Sequence, residues 1–429
     1  MRCNDWREVR LGEIIEFNPK ESISKGTLAK KISMDMINPF YKFVKEYEIE
    51  EYKGGSKFRN GDTLMARITP CLENGKTAKV TILNKKEIGF GSTEFIVLRA
   101  KEGETTEDFV YYIAISPYVR DIAIKSMTGT SGRQRAQVNV IQNIQIYLPP
   151  LNEQKAIAKI LSDLDEKIEI NNRINKVLEE IAQAIFKRWF MDFEFPNENG
   201  EPYKSSGGEM VESELGLIPK EWMVGKLGDV LETIETGNRP KGGAANIKFG
   251  IPSIGAENII GLGKYDYSKE KYVPVDYFKK MKKGIVYSED VLLYKDGAQL
   301  GRKTLFMDGF PYEECCVNSH VFILRCNDLI SQIYLYFWLD QGCVTDKIIQ
   351  LNANSAQPGI NQAQLKTLDI IIPSKDIITN FTKLIKQLLR YLFNNCKENN
   401  KLSQLRDTLL PKLMSGEIRV DLNNDQISV

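Results

Sequence analysis

The stretch IEINNRINK, residues 168–176, lies at the centre of a long apolar pattern and interrupts it with two asparagines. From about residue 152 to 190 apolar side chains recur at heptad spacing, which predicts one long helix with a buried face. A buried amide costs stability unless it finds a partner, so Asn171 and Asn175 need a structural reason. The ten seam positions are Ile157, Leu161, Leu164, Ile168, Asn171, Asn175, Leu178, Ala182, Ile185 and Trp189.

This seam recurs in the second half of the chain at an offset of 381 − 157 = 224 residues. Both asparagines recur with it, as Asn395 and Asn399, and the mismatch is Ala182, which corresponds to Arg406. Upstream segments repeat at similar offsets: STEFIVLRA with NSHVFILRC at 226, GDTLMAR with EDVLLYK at 228, and WREVRLGEI with WMVGKLGDV at 216. The chain is therefore predicted to be an internal repeat, each half a mixed domain of about 150 residues followed by one long helix.

Short apolar runs bounded by turn residues predict strands in both halves: DTLMARI, TAKVTIL and EFIVLRA, then DVLLYK, SHVFILRC and LDIIIP. DFVYYIAIS and QIYLYFWLDQG can be helices or buried strands, because periodicity does not separate the two. The predicted class is α+β, with two mixed α/β domains separated by two long helices. The predicted boundaries are 1–150 and 222–374 for the mixed domains, 151–190 and 375–415 for the helices, 191–221 for an acidic linker and 416–429 for a tail.

A long helix with an apolar stripe needs a partner to cover it, and the repeat supplies a second copy. We expect the two helices to pair antiparallel as a coiled coil, related by a pseudo-two-fold axis. Asn171 and Asn175 would then meet Asn395 and Asn399, and polar seam positions are known to fix register at some cost in stability. Pro411 should kink or end the second helix. The alternative is that the asparagines lie on exposed faces of helices that pack elsewhere.

Composition describes an ordinary globular protein, 42% hydrophobic and 27% charged, with a net charge of +1. The charge is uneven, because residues 191–221 carry eight acids against two lysines, a net of −6. No run of about 18 apolar residues predicts a membrane span, and the N-terminus has no signal-peptide core. The seven cysteines include no C-x-x-C pair, so we expect free thiols, a cytoplasmic location and no metal site.

Two similar domains at a fixed spacing could read two similar sites on one ligand, and duplex DNA presents such sites at a defined helical spacing. Polar and cationic side chains recur in the predicted loops of both halves, and such side chains contact phosphates and base edges. Each loop taken singly is more often a plain polar turn. The candidate DNA contacts are Asn18, Lys20, Lys25, Arg67, Asn74, Lys76, Ser131, Arg133, Gln134 and Arg135 in the first half, and Asn238, Arg239, Lys241, Lys295, Gln299, Arg302, Lys303, Asn354 and Gln357 in the second.

Sequence signals for catalysis are weak. The chain has one histidine, His320, in the predicted strand SHVFILRC, where a structural role is expected. Neither a G-x-x-x-x-G-K-[ST] loop nor a G-x-S-x-G elbow occurs. INPFYK, residues 37–42, is similar to an adenine methyltransferase motif but lacks its second proline, and we interpret it as a turn. We therefore predict no catalytic residues.

Three segments carry a family resemblance. Residues 148–190, from LPPLNEQKAIAKILSDLD to AIFKRWF, resemble the conserved helical region of the DNA-specificity subunit of Type I restriction-modification systems. SELGLIPKEWMVGKLGDV, residues 213–230, resembles the opening of that family's second target-recognition domain, and LLPKLMSGEI, residues 409–418, resembles its closing segment. The resemblance spans essentially the whole chain.

What this resemblance implies is a non-catalytic subunit in which each target-recognition domain reads one half of a bipartite DNA target. The paired helices would set the gap between the halves. Two modification subunits would dock on the helices and methylate adenine using S-adenosylmethionine, with two restriction subunits as optional partners that cleave DNA using ATP and magnesium. All these cofactors would belong to the partners and none to this chain. Two other interpretations stay open: a two-headed scaffold that binds proteins or glycans, and an enzyme with an unfamiliar active site.

Overall fold

The computed structural model describes residues 5–238, 240, 243, 247–352 and 359–420. It divides into two compact units, unit 1 with residues 1–169 and 401–429, and unit 2 with residues 170–400. Unit 1 buries two apolar clusters and unit 2 buries one. The predicted mixture of strands and helices is present in both units.

Unit 1 contains strands β1 (Arg7–Arg10), β2 (Ile15–Phe17), β3 (Leu28–Ile32), β4 (Glu48–Glu51), β5 (Ser56–Arg59), β6 (Thr63–Ala66), β7 (Thr77–Lys79), β8 (Ile88–Gly91), β9 (Phe95–Ala100) and β10 (Gln145–Leu148). Its shorter helices are α1 (Leu11–Ile14), α2 (Glu107–Ile115), α3 (Pro117–Lys125) and α4 (Val138–Gln142). The strands form two four-stranded sheets, ordered β2-β9-β6-β7 and β4-β3-β8-β5, and a β1-β10 pair. The pairing is antiparallel except between β3 and β8.

The first long helix, α5 (Leu151–Phe186), follows β10 and continues as a π-helix over Lys187–Met191. Unit 2 then contains strands β11 (Met210–Ser213), β12 (Gly216–Pro219), β13 (Met223–Lys226), β14 (Leu231–Thr236), β15 (Ile251–Ile254), β16 (Ile259–Gly261), β17 (Lys264–Tyr265), β18 (Tyr272–Val273), β19 (Val291–Tyr294), β20 (Lys303–Leu305), β21 (Cys316–Val317), β22 (Val321–Cys326) and β23 (Asp369–Ile372). Its helices are α6 (Leu227–Val230), α7 (Val275–Phe278), α8 (Gln332–Asp340), α9 (Gly342–Gln350) and α10 (Gln362–Lys366), and the second long helix is α11 (Lys375–Ser415).

The two units share most of their strand topology, as the repeat in the sequence predicts. The β2-β9-β6-β7 sheet has its counterpart in β14-β22-β19-β20, and the β1-β10 pair in β13-β23. The parallel pairing of β3 with β8 recurs as the parallel pairing of β15 with β21. Even the register is repeated, since Leu64 lies opposite Val97 and Leu292 opposite Ile323. The six predicted strand segments are all confirmed.

The two segments that periodicity left undecided are helices, α2 and α8. They are buried on nearly every side, which hides the one-sided pattern that identifies a surface helix. Their start signals are equivalent, because Thr106 Oγ1 accepts a hydrogen bond from Phe109 N and Ser331 Oγ accepts one from Tyr334 N. Such a hydroxyl satisfies an amide that the first turn of a helix leaves unpaired.

The predicted seam is the buried face of both long helices. No seam residue of α5 is exposed, and Ile157, Leu161 and Ala182 are fully buried. The same holds for α11, where Phe381 and Ile385 are fully buried. Of the two expectations for Pro411, a kink or an end, the helix does not end there, because α11 runs over Lys375–Ser415, the bounds predicted from the sequence. Pro411 is exposed one turn from the helix end, where water can hydrogen-bond the carbonyl it leaves unpaired.

Residues that follow each long helix pack on equivalent tryptophans. In unit 2, Phe195 stacks on Trp222 with ring centroids 4.9 Å apart. In unit 1, the Arg419 guanidinium lies 5.6 Å from the Trp6 ring and also binds Glu153. Residues 191–221, predicted as a solvated acidic linker, thus include buried aromatic side chains and the β11-β12 hairpin. None of the helices in the described ranges has the length and apolar character needed to cross a bilayer.

Candidate nucleic-acid interface

The candidate residues of unit 1 meet where the chain leaves β6. Arg67 N donates to Glu94 O at 2.9 Å, and Arg67 O accepts from Ala136 N at 2.8 Å. Thr69 N donates to Gln134 O, and Ile68 forms an antiparallel bridge with Arg135. The loop that carries Ser131, Arg133, Gln134 and Arg135 is thereby attached to the same strand end as Arg67.

A polar cleft of about 500 Å³ opens beside this point, with lining residues from both four-stranded sheets. Asn18, Lys20 and Arg67 line it together with Tyr52 and Lys57. Lys20 is exposed, whereas the Asn18 side chain is committed to β9, since its Oδ1 accepts from Val97 N at 3.0 Å. Three residues of the cleft are thus among those predicted from the sequence, whereas its other wall, which residues 52–57 build, was not predicted.

The two arginines of the 131–135 loop differ in their surroundings. The Arg135 guanidinium binds both carboxylate oxygens of Glu94, with the closest approach at 2.7 Å. These hydrogen bonds raise the pKa of Arg135. Arg133 and Ser131 are exposed, and the Arg133 guanidinium has no hydrogen-bond partner within the described residues. Arg135 thus holds the loop, while Arg133 is available to a ligand.

The remaining candidates of unit 1 lie on neighbouring turns. Asn74 is exposed in the turn between β6 and β7. The Lys76 Nζ atom is turned inward and donates to Met34 O at 2.8 Å. Lys25 is exposed on the turn before β3. Of these three side chains, Asn74 and Lys25 face solvent.

In unit 2, Lys295, Gln299 and Arg302 share one loop after β19. Tyr294 N donates to Arg302 O at 2.7 Å, which closes the loop and leaves Gln299 and Arg302 exposed. The Lys295 Nζ atom is paired with Asp296 Oδ2 at 2.8 Å, and His320 Nδ1 lies 2.9 Å from the same oxygen. His320 precedes β22 and is half-exposed, so its predicted place inside a strand is wrong.

Lys303 is corrected by the structure. Its side chain is buried on β20, where Nζ donates to Thr345 Oγ1 at 2.6 Å, and burial lowers its pKa. Because it is enclosed, Lys303 cannot contact DNA.

Asn238 is exposed after β14. The candidates Arg239, Lys241, Asn354 and Gln357 lie outside the described residues.

An aspartate–arginine pair braces the main sheet in each unit. Arg99 donates to both carboxylate oxygens of Asp62, and Arg325 does the same to Asp290, at 2.7–2.8 Å. Burial raises the pKa of Asp62 and of Asp290, although the arginines oppose this. Asp62 and Asp290 belong to the repeated motifs GDTLMAR and EDVLLYK, and Arg99 and Arg325 to STEFIVLRA and NSHVFILRC, so the repeat carried a signal for both members of each pair.

The four seam asparagines contact one another within unit 2. Asn171 Nδ2 donates to Asn399 Oδ1 at 2.9 Å, and Asn395 Nδ2 donates to Asn175 Oδ1 at 2.9 Å. The two hydrogen bonds are equivalent in the repeat, because the offset of 224 residues relates Asn171 to Asn395 and Asn175 to Asn399. As the residue number rises along α5, the partner number falls along α11. Each pair thus joins one amide donor to one amide acceptor, which offsets part of the cost of burying these side chains. Asn171 Oδ1 itself is buried without a hydrogen-bond partner among the residues that the structure describes.

A buried polar network ties the mixed part of unit 1 to its helical part. Lys42 Nζ donates to Ser162 Oγ at 2.6 Å and lies 2.8 Å from Asp108 Oδ1. Tyr112 Oη donates to Asp165 Oδ2 at 2.7 Å, and Arg406 Nη1 donates to Asp165 Oδ1 at 2.7 Å. This network was not predicted from the sequence, because its members lie far apart in the chain and come together only in the tertiary structure. Lys42 lies in the segment interpreted as a turn, and a turn is found at Pro39 and Phe40.

Comparison with known proteins bears on both halves of the chain. A family model described as the Type I restriction modification DNA specificity domain matches twice, over residues 4–180 and 219–405. The two matches coincide with the two halves of the internal repeat. Together they cover well over half of the chain.

Relatives with the same description span most of the chain. The Type I restriction enzyme MjaIX specificity subunit of Methanocaldococcus jannaschii is 28% identical over 329 residues, which are 75% of this chain and 71% of that protein. The HindI specificity subunit of Haemophilus influenzae is 24% identical and covers 97% of this chain and all of its own length. The crystal structure of a Type I restriction-modification S subunit from M. genitalium is 16% identical, with a TM-score of 0.56, and covers 96% of this chain and 97% of that one. At this identity the likeness shows a shared fold.

Proposed function

This chain belongs to the Type I restriction-modification DNA specificity family, and from that premise we propose that it is the non-catalytic subunit that gives such a complex its DNA sequence specificity. The observation that carries the proposal is the separate match of each half to the specificity domain, over residues 4–180 and 219–405. Two recognition domains in one chain are what a bipartite target requires. Catalysis, with its S-adenosylmethionine, ATP and magnesium, is the work of the partner subunits.

Each mixed domain reads one half of the target in this proposal. Residues 1–150 form the first target-recognition domain and residues 222–374 the second, with helical segments 151–190 and 375–415, an acidic segment 191–221 and a tail 416–429. Exposed cations of the first domain support this assignment, since Lys20, Lys25 and Arg133 all face solvent. Such side chains neutralise phosphates and make binding depend on salt.

The two long helices pair as an antiparallel coiled coil and set the gap between the half-sites. Support comes from the order of contacts in unit 2, where Asn171 meets Asn399 and Asn175 meets Asn395. Sliding one helix by a turn would separate every one of these amides from its partner in an apolar seam. The asparagines therefore act as register residues, the best-attested role of polar groups at seam positions.

The modification subunits dock on the outer face of α5 in this proposal. Ile170, Ile174, Val177 and Ile181 are spaced by four, three and four residues, which puts them on one face of a helix. All four are exposed, by 38–52%. A contiguous apolar stripe on the surface is typical of a protein–protein contact. Restriction subunits are further partners of the same assembly.

Methylome sequencing tests the function directly. The chain is expressed with its cognate modification subunit in cells that lack other adenine methylation, and the methylated sites are mapped. The expected result is a split motif with one methylated adenine in each half and a fixed gap. Replacing residues 1–150 with another first recognition domain should change one half only. If the complex assembles and no new methylation appears, the proposal is wrong.

The alternative of a scaffold for proteins or glycans finds no support in the relatives, which are named as specificity subunits. It predicts that the purified complex ignores DNA. A binding assay with the motif found by methylome sequencing, and with a scrambled duplex as competitor, would separate the two functions at once.

A further inference from the structure

Arg67 is a cation without a partner in the cleft of unit 1. No hydrogen bond or ion pair reaches its guanidinium from the residues that the structure describes, and its Nε atom is enclosed. An enclosed donor without an acceptor is costly, so such groups call for a functional explanation. With Nε enclosed, the terminal nitrogens Nη1 and Nη2 are the ones left for a ligand.

The backbone of Arg67 is held more firmly than that of a residue on a free loop. Its N–H and its carbonyl are both hydrogen-bonded, to Glu94 O and Ala136 N. The preceding strand, β6, is central in its sheet and pairs on both sides. A half-buried side chain on so rigid a base loses little entropy when a ligand binds, which favours selective contacts over merely electrostatic ones.

The charge of the cleft indicates an anionic ligand. Lys20, Lys57 and Arg67 line it, and Glu21 is the one acid among its described lining residues. Glu21 is itself neutralised by Arg99 at 2.7 Å and by Arg59 at 2.6 Å. The cleft is therefore positive. Its Lys57 Nζ donates to Glu21 O at 2.8 Å, whereas Lys20 is exposed and can serve a phosphate as a point charge. The planar guanidinium of Arg67, unlike a lysine ammonium, can also donate two parallel hydrogen bonds to one ligand group.

Building on the proposed function, we infer that Arg67 is the specificity-determining residue for one guanine in the half-site of unit 1. Its two terminal nitrogens donate to O6 and N7 of the guanine in the major groove, the commonest specific contact between a side chain and a base. Lys20, which is exposed at the same cleft, binds a flanking phosphate. Arg133, on the loop attached to the same strand end, extends this surface.

At the position of Arg67, unit 2 repeats the framework with a different cation. Lys295 corresponds to Arg67, and its backbone makes the matching hydrogen bonds, from Lys295 N to His320 O and from Ile360 N to Lys295 O. There, however, the cation is paired with Asp296 at 2.8 Å. A neutralised lysine cannot replace an arginine fork. The two units thus share the backbone hydrogen bonds at this position but differ in the side chain that would contact the DNA.

The test is methylome sequencing of the full complex with Arg67→Lys, Arg67→Gln and Arg67→Ala. Arg67→Lys keeps the charge but loses the fork, so it should relax one base pair of the first half-site while the other positions and the second half stay unchanged. The preference for guanine at that pair should fall about 5- to 150-fold, the range for one bidentate base contact. Arg67→Gln should shift the preference toward adenine, which glutamine recognises. Lys85→Ala, which removes a positive charge from an exposed turn of the same unit, is the matched control and should leave the motif intact.

Other outcomes have distinct meanings. If Arg67→Lys keeps the full motif while Arg67→Ala lowers methylation at all sites alike, Arg67 binds a phosphate and the inference is wrong. It is equally wrong if all three variants keep the motif and the rate. Thermal unfolding of each variant complex shows whether a loss of methylation reflects misfolding, and Arg67→Lys then decides the matter as the least disruptive change. If the unmodified complex yields no split motif at all, the proposed function fails, and this inference fails with it.

Discussion

Arg406 forms a buried ion pair with Asp165 at 2.7 Å, at a place where the repeat has only apolar residues. The repeat offset of 224 residues relates Arg406 to Ala182 and Asp165 to Leu389, both buried in the core of unit 2. Burial by itself lowers the pKa of Arg406, but Asp165 and Asp407 outweigh it and raise the pKa. The same buried position is thus filled by an ion pair in unit 1 and by an alanine and a leucine in unit 2.

Removing one partner of this pair should be costly. Arg406→Ala leaves Asp165 buried without its counter-ion, and we expect a loss of about 3–5 kcal/mol in the free energy of unfolding. Asp165→Leu together with Arg406→Ala copies the pair of unit 2 and should recover most of that loss, since apolar replacement of a whole buried pair is often neutral. The double variant also removes the Asp165 carboxylate that accepts from Tyr112 Oη. This hydroxyl still has Ser162 Oγ at 3.4 Å as a hydrogen-bond partner. Urea denaturation of the unmodified chain and the two variants measures this, and a double variant no more stable than Arg406→Ala would contradict it.

The seam asparagines should fix the register of the two long helices at some cost in the free energy of unfolding. Asn175→Ala leaves the Asn395 amide without its acceptor and should cost about 1–3 kcal/mol. Asn175→Leu with Asn395→Leu removes both amides and should be near neutral or stabilising in urea denaturation. The same double variant should weaken the choice of gap length, since two leucines pack in more than one register. Methylome sequencing would show sites with an altered gap beside the native one. A motif with a single unchanged gap would mean that register is fixed elsewhere.

How much of this structure the sequence predicts depends on how local each signal is. Periodicity placed the seam from Ile157 to Trp189 and its repeat correctly, because a helix buries residues at fixed spacing. The same comparison marked Arg406 as the one mismatch in the repeat, but it did not supply Asp165 as the partner. A partner 241 residues away belongs to tertiary structure, and no short-range pattern encodes it.

The candidate site was predicted by residue type, and residue type does not distinguish an available cation from an occupied one. Lys303 and Lys20 look alike in the sequence, yet the first is enclosed on β20 and the second faces solvent. Arg133 and Arg135 are two residues apart, and only the second meets Glu94. Lys42 was not predicted as a buried residue, because lysine is rarely buried unless it is paired, and its partners cannot be identified from the sequence.

The Lys42–Asp108 pair should make stability depend on pH. Burial raises the pKa of Asp108, but Lys42 and Lys79 outweigh it and lower the pKa below its ordinary value of 3.8. A carboxylate with a lowered pKa in the folded state contributes stability above its unfolded pKa and loses it as the pH falls through the folded one. Asp108→Asn should therefore be destabilising near neutral pH, with a penalty that shrinks below pH 3.8. Urea unfolding across this range measures it, with Lys42→Met as the control background in which the penalty is smaller throughout. A penalty that grows on acidification would contradict the assignment.

The two loop arginines should separate binding from stability. Arg133→Ala should leave the melting temperature unchanged and lower DNA affinity, and it should reduce the salt dependence of binding by about one ion if the lost contact is a phosphate. Arg135→Ala should lower the melting temperature, because Glu94 loses its bidentate partner and the 131–135 loop loses its anchor. Fluorescence anisotropy at several salt concentrations and thermal unfolding measure the two effects. If Arg135→Ala changed only the affinity, its place as an anchor would be wrong.

The apolar stripe on α5 should be needed for assembly and not for folding. Val177 is 52% exposed, so Val177→Asp removes little buried surface from this chain and should leave its unfolding transition in place. On a docked face the same aspartate would be desolvated without a partner, and affinity for the modification subunit should fall at least tenfold. Lys176→Asp is the control, because it adds the same side chain about 100° around the helix from Val177, away from the stripe. Calorimetric titration of the modification subunit into each variant gives the affinities. Equal losses from both variants would point to charge rather than to this face, and no loss from Val177→Asp would mean that the modification subunits dock on another surface.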